Sequence, residues 1–303
     1  MYKKLLIVLF LVICLPFFIT GCGNRNWDVV SYYDPNWTPE GLIYAKQVIS
    51  HYKESWDGLL MGGLHQYVDS EEIHYVTMDT NGNDEQTLPY SYYPYFSPKG
   101  FYAAYVDSTS SVHIIRRADN QELYSFQPTT DKVSEIDWNP SEDKIVYTIT
   151  LNDVNSSDPY TTVYISDIDG SNKKKLSEGM TAVWAPSESL IVFDRYYRLS
   201  GVPSGDGLCT YLTTNEVINK ISSLGTREGG DPDFASDNQT IIYDNGSDVA
   251  INTINIFSGI KTSILNKQLY RPKWSSLGII YSDGAGLSIW LSNIDGTGLK
   301  QIK

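Results

Sequence analysis

Cysteine is scarce in this sequence, with only Cys14, Cys22 and Cys209 among 303 residues. A disulfide framework is therefore excluded, and stability has to come from core burial. No stretch sustains a 3.6-residue apolar period, so almost no helix is expected. There is no G-x-S-x-G, no H-E-x-x-H and no C-x-x-C, which removes the usual signatures of serine hydrolases, zinc peptidases and dithiol enzymes. Ser171-Asn-Lys-Lys174 fits S-x-x-K by letter but follows Asp169-Gly170 in a predicted turn, where no buried base can activate the serine. Positive charge is in deficit, with 23 Lys and Arg against 36 Asp and Glu and a formal charge of −13. A chain this acidic has no electrostatic reason to bind nucleic acid.

The single long apolar run, Leu5 to Ile19, follows Lys3 and Lys4, contains Pro16, and ends at Ile19-Thr20-Gly21-Cys22. A short basic region, a short apolar region and a small-residue ending read as a secretory signal rather than a membrane span. Ile-Thr-Gly-Cys resembles the bacterial lipobox, which implies a signal peptide over 1–21 and a diacylglyceryl group, with palmitate-type acylation, on Cys22. The expected location is extracytoplasmic, with the lipid holding the protein to the cell membrane or outer membrane. Residues 22–33 are expected to be a tether. Loss of Lys3 and Lys4 takes the formal charge from −13 to −15.

Everything after residue 33 is organised by a repeat. Six segments join an aromatic residue, a polar turn rich in Pro or Gly, and a burst of β-branched and aromatic residues. The anchoring aromatics are Trp37, Phe96, Trp138, Trp184, Phe234 and Trp274, separated by 59, 42, 46, 50 and 40 residues. A four-stranded propeller blade takes about 40–50. Each unit has a second half that reads as a strand, at 73–78, 112–116, 162–166, 209–213, 251–256 and 287–291. Asn81-Gly82, Asp169-Gly170 and Asp295-Gly296 follow three of these as hairpin turns.

The repeat resembles the W-S-P-D-G-x-x-I-A-F motif of TolB-type propellers. Ser97-Pro98-Lys99-Gly100 is the nearest copy, and the fifth and sixth lack the turn proline. The resemblance implies an all-β fold, a six-bladed propeller of four-stranded antiparallel blades over 34–303. The N-terminal α/β domain of TolB itself is expected to be missing.

The six aromatic rings are expected to fill the wedges between blades. Asp34, Glu135 and Asp231 each precede their aromatic by three positions, and should approach the channel mouth at equivalent heights. Tyr93 and Arg271, which open the second and sixth copies, join them as candidate binding residues, while Asp137 and Asp233 lie one position before their aromatics. Such carboxylates could form a solvated rim, bind a cation or do acid–base work on a glycan. Three second-to-third-strand loops, about 50–71, 151–160 and 195–207, are expected to be long and to carry Trp56, Tyr160, Arg195, Tyr196, Tyr197 and Arg198 as a recognition face. No cofactor is expected. Calcium at Asp79–Asp84 or Asp167–Asn172 is a minor alternative that lacks the downstream Glu of an EF-hand, and a metal site from His51, His65 and Asp57 or Asp69 is another.

The chain thus reads as a binding protein rather than an enzyme. Its expected partners are the membrane, through Cys22, and an envelope protein, peptide or glycan. A carbohydrate-active propeller and a structural part of an envelope complex are the alternatives.

Overall fold

The computed structural model describes residues 25–56, 64–129, 131–151, 160–199, 202–221, 230–245, 250–283 and 288–303. The predicted signal peptide and Cys22 lie outside these. No helix occurs among the described residues.

Among the described residues, twenty-four strands form six sheets, each an antiparallel meander of four consecutive strands. Blade 1 holds β1 (Arg25–Trp37), β2 (Ile43–Trp56), β3 (Leu64–Met78) and β4 (Gln86–Thr87). Blade 2 holds β5 (Tyr95–Phe96), β6 (Tyr102–Val106), β7 (Val112–Arg116) and β8 (Gln121–Phe126). Blade 3 follows with β9 (Lys132–Trp138), β10 (Lys144–Leu151), β11 (Tyr160–Asp167) and β12 (Lys174–Glu178). Blade 4 has β13 (Met180–Trp184), β14 (Leu190–Leu199), β15 (Val202–Leu212) and β16 (Val217–Lys220). Blade 5 has β17 (Gly230–Phe234), β18 (Thr240–Asn245), β19 (Ala250–Asn255) and β20 (Lys261–Leu265). Blade 6 has β21 (Leu269–Ser275), β22 (Gly278–Asp283), β23 (Ile289–Ser292) and β24 (Lys300–Gln301).

The repeat's turn explains the first hairpin of each blade. In blade 2 the Ser97 carbonyl accepts from Gly100 N at 3.0 Å, and Ser97 N donates to the Tyr102 carbonyl at 3.0 Å. Pro98 fixes the first central position of that turn, and the residue closing it must sit at positive φ. Gly41, Gly100, Glu142, Glu188 and Asn238 do so in blades 1 to 5, at φ 82, 79, 64, 62 and 57.

Burial is distributed between blades rather than at one centre. Trp138 packs with Ala104, Val112 and Ile114 of the preceding blade, Trp184 with Val146 and Val163, and Phe234 with Val192 and Leu208. Trp274 and Trp37 do the same for blades 5 and 6. Each of these rings contributes roughly 1.5–3 kcal/mol by leaving water. The ring of blades closes by packing and hydrogen bonding: Ile43 and Val76 of blade 1 meet Ile280 and Ile289 of blade 6, and Trp37 Nε1 donates to the Lys273 carbonyl at 3.1 Å.

The chain divides into two compact units. The propeller is Tyr32–Gln47 with His74–Lys303. The other unit contains residues 25–31, 48–56 and 64–73, the N-terminal parts of β1 and β3 and the C-terminal part of β2. This corrects two expectations. The stretch expected as a tether is strand from Arg25, and the long loop expected over 50–71 is a three-stranded ribbon wherever it is described. The ribbon also accounts for the 59-residue interval between Trp37 and Phe96. A third correction concerns 195–207, expected as a loop. There β14 and β15 pair, Arg195 with Gly207, Tyr197 with Ser204 and Leu199 with Val202, with a register shift after Arg195.

Candidate functional site

Five of the six inner strands are kinked at one equivalent place. Asp34, Glu135, Thr181, Asp231 and Arg271, each three residues before its aromatic, have φ of 51, 54, 52, 42 and 52. The ladder slips beside four of them, between Val146 and Thr148, Met180 and Val183, Gly230 and Asp233, and Tyr270 and Lys273. A non-glycine residue in the left-handed region costs roughly 1–2 kcal/mol, somewhat less for Asp. The bulge re-aims the side chain it carries. Here all five line one central cavity of about 250 Å³, with Tyr93 in the sixth place. A second tier follows one position before each aromatic: Asn36, Tyr95, Asp137, Val183, Asp233 and Lys273. The structure thus brings Asp34, Tyr93, Glu135, Asp231 and Arg271 together around one mouth.

The outer tier is tightly interlocked. The Arg271 guanidinium pairs with Asp34 and lies 3.8 Å from the Asp231 carboxylate through Nε. Burial works against its charge, but Asp34, Asp231 and Glu135 outweigh that and hold it above its ordinary value. Tyr93 donates to the Asp34 carbonyl at 2.7 Å. Glu135 accepts from Thr181 N of the next blade at 3.0 Å, and burial followed by the Asp231 charge raises its carboxyl. The mouth is therefore an ordered array of groups, not a freely solvated rim.

In the inner tier two carboxylates strap neighbouring blades. Asp137 accepts from Trp184 N at 2.7 Å, and Asp233 accepts from Trp274 N at 2.6 Å. Burial pushes the Asp137 carboxyl up to about 7, against the opposing pull of the Trp184 N–H and the Lys273 ammonium. Burial likewise raises Asp233. Two further carboxylates, on the second strands of blades 4 and 5, were not foreseen. Asp194 pairs with Met180 and is pushed up to about 7 by burial and then by Asp231 and Asp244. Asp244 accepts from Arg271 N at 3.2 Å and is raised by burial and then by Asp231.

Thr181, Lys273, Asn36, Tyr95 and Val183 were also missed. Reading all six copies at both offsets, whatever the residue type, would have found them. Of the long-loop candidates, Arg195 forms an ion pair with Asp206 at 2.9 Å. The side chains of Trp56, Tyr160, Tyr196, Tyr197 and Arg198 lie outside the described residues, as does that of His65. His51 lies in β2 and is held by Asp28 at 2.7 Å, while Asp69 pairs with Lys53. At the turns weighed for calcium, Asp79 Oδ1 accepts from Asn81 N and Asn83 N, and Asp169 Oδ1 accepts from Ser171 N.

No known family profile matches the chain, and no curated protein matches it. Solved structures do. TolB from Acinetobacter baumannii superposes with a TM-score of 0.58 at 14% identity, covering 92% of this chain and 79% of that one. A putative TolB from Agrobacterium tumefaciens gives 0.57 at 12% identity, covering 72% and 82%. A chain of a nidogen/laminin complex gives 0.56 at 9% identity, covering 91% and 92%. In fold, the chain is a TolB-like six-bladed β-propeller.

Proposed function

We propose that this protein is an exported binding module, held at an extracytoplasmic membrane surface by lipid on Cys22, whose channel mouth captures a positively charged segment of an envelope protein or peptide. The observation that carries this reading is the five-fold repetition of a left-handed residue at the channel, presenting Asp, Glu, Thr, Asp and Arg side chains in turn. Strain recurring at one ring of positions marks a surface built for contact. Charge supplies the ligand's sign. The two lining tiers hold Asp34, Glu135, Asp137, Asp231 and Asp233 against Arg271 and Lys273. Propeller neighbours with TolB in their names, and one from a two-protein complex, support recognition as the theme.

The carbohydrate-active reading draws on one observation, the raised carboxyls of Glu135 and Asp137, which suit acid–base roles. The two readings part in one experiment. The mature chain with Cys22→Ser serves as bait for envelope extract, with mass spectrometry of what binds, and is assayed in parallel against envelope polysaccharides. Capture of a partner through a basic segment, weakened about tenfold or more by Glu135→Gln with Asp34→Asn and by added salt, supports binding. Polysaccharide cleavage lost in Glu135→Gln, or capture indifferent to both substitutions, overturns it.

A further inference from the structure

Behind the mouth, one position repeats from blade to blade. The residue that follows the last aromatic of the repeat is Thr148 in blade 3, Asp194 in blade 4, Asp244 in blade 5 and Ser282 in blade 6. Thr148, Asp244 and Ser282 are 1%, 5% and 5% exposed. The two hydroxyls suit so buried a place: Thr148 donates to Glu135 at 3.5 Å, and Ser282 to the Tyr270 carbonyl at 3.3 Å. A fold that accepts a neutral hydroxyl here has no structural need of an acid, yet blades 4 and 5 carry one.

Asp244 lies against the bulge of its own blade. Gly230 pairs with it, and a Cβ on Gly230 would stand 2.7 Å from Asp244 Oδ1. The next residue is Asp231, whose side chain hydrogen-bonds that of Asp244. Two carboxylates are acceptors only, so this contact requires a proton between them. Asp244 Oδ2 also accepts from Arg271 N at 3.2 Å. The charged groups around the pair come from several strands. Asp231 faces Asp244 from β17 and Arg271 from β21, while Asp194 on β14 is acted on by the same two acids. Asp231 in turn meets Glu135 and the Arg271 guanidinium, which also pairs with Asp34. Lys273 acts on Glu135, Asp137 and Asp233. Asp34, Glu135, Asp231 and Asp244 thus share one guanidinium, and Asp194 has only acids as its charged neighbours.

We infer that the mouth exchanges a proton for its ligand: the captured cation replaces the proton held between Asp231 and Asp244, so the grip strengthens from acid to neutral pH. The inference rests on the cation-capture reading and adds its regulation. A cation arriving at Asp231 supplies the positive charge that the proton supplied, and Asp244 then ionises beside it. Reciprocity follows, because a ligand that expels a proton is itself expelled by protons. Burial, and then the Asp231 charge, raises the Asp244 carboxyl, and burial pushes Asp194 up to about 7. Affinity therefore climbs with pH until these acids are ionised in the free protein as well, at about pH 7, by at most about tenfold per pH unit for each proton released.

The probe is acetylated, amidated trilysine, whose ammonium groups stay charged throughout this range. Titration calorimetry with the mature Cys22→Ser protein at pH 5, 6 and 8, in two buffers of different ionisation enthalpy, reads affinity and released protons together. The expected dissociation constant is about tenfold or more lower at pH 8 than at pH 5, with net proton release at pH 6. Asn imitates a protonated acid. Asp194→Asn with Asp244→Asn should therefore bind at pH 8 about as weakly as wild type does at pH 5, and release no more than half the protons, its fold checked by its unfolding midpoint. Carbon-detected NMR of the aspartate carboxyls in the free protein reads the shared proton without any ligand. Equal affinity at all three pH values, or tighter binding in acid, overturns the exchange and leaves cation capture standing. Failure to bind at any pH overturns cation capture itself. An Asp244 carboxyl that titrates in the ordinary aspartate range overturns the shared proton whatever the probe does.

Discussion

Replacing Asp137 by Asn should stabilise the protein at pH 8 and by only about a third as much at pH 5. The Asp137 carboxylate lines the channel and accepts the Trp184 N–H across the blade 3–blade 4 joint, and burial pushes its carboxyl up to about 7. In the unfolded chain an Asp titrates near 3.9. A carboxyl raised by folding favours the folded state fully below about pH 4, and that contribution is lost as pH rises through about 7. A shift of this size corresponds to a ceiling of about 4 kcal/mol. Dipole relaxation reduces it, and we expect about half. Asn keeps an oxygen for the Trp184 N–H and cannot ionise, so it imitates the protonated form at every pH. The assay is urea unfolding of both proteins at pH 5 and pH 8, followed by tryptophan fluorescence. Comparison at one pH cancels the contributions of Glu135, Asp194 and Asp233, which are raised for the same reason. Asp137→Ala should destabilise by about 1–3 kcal/mol at both pH values, because the Trp184 N–H loses its acceptor. If Asp137→Asn is weaker than wild type at pH 8, the carboxylate is ionised in the fold and its charge is what secures the joint.

Three other perturbations probe the ring and its mouth. Gly82→Ala should cost at least about 2 kcal/mol, since φ is +77 and a Cβ there would stand 2.3 Å from the Ile302 carbonyl oxygen where blade 6 meets blade 1; a midpoint within 1 °C of wild type in a thermal melt would contradict the closure described. Thr181→Asn should raise stability by about 0.5–1 kcal/mol, because a β-branched residue at φ 52 is strained and Asn tolerates that region; calorimetry showing a loss would mean the Thr181 hydroxyl matters more than its backbone. Arg271→Ala should tighten capture of a basic partner several-fold by freeing Asp34 and Asp231, and weaker capture in titration would place the arginine among the ligand's own contacts.

Most of the propeller was legible because its physics repeats. An aromatic ring per blade, a proline or glycine turn and a β-branched run recur six times, and each copy resolves the ambiguity of the others. The predicted strand 112–116 coincides with β7. What escaped had no burial signature. The ribbon strands expose both faces over much of their length, so Tyr67, Val68, Asp69 and Glu72 show no one-sided alternation, and backbone pairing alone makes them strand. The 195–207 stretch contains Pro203, Gly205 and Gly207, which read as loop. It stays paired because a register shift at Arg195 absorbs the mismatch. The left-handed residues were hidden for a different reason. Asp, Glu, Thr and Arg have no shared propensity that announces positive φ, and only their common distance from the aromatic connects them. Asp194 and Asp244 sit behind the inner strands on second strands, where no fixed spacing drew attention to them.

The tiers divide labour in a way that bears on how the mouth could select a ligand. Asp137 and Asp233 are committed to backbone N–H groups, so altering them perturbs joints between blades. Asp34 pairs with Arg271, and Asp231 lies beside both Arg271 and Asp244; Arg271 is a side chain 46% exposed on a long flexible stem. An arriving cation need not find an empty site, because it can exchange with an arginine that swings into solvent. The exchange replaces one ion pair with another, so a lone cation gains little net electrostatic energy. Selectivity then falls to groups with which the arginine forms no direct ion pair. Tyr93 and Tyr95 present aromatic surface to the cavity and Glu135 a buried carboxylate, and together they reward a charge that arrives with an apolar stem. A built-in counterion of this kind discriminates against simple salts and in favour of a lysine or arginine side chain carried by a partner.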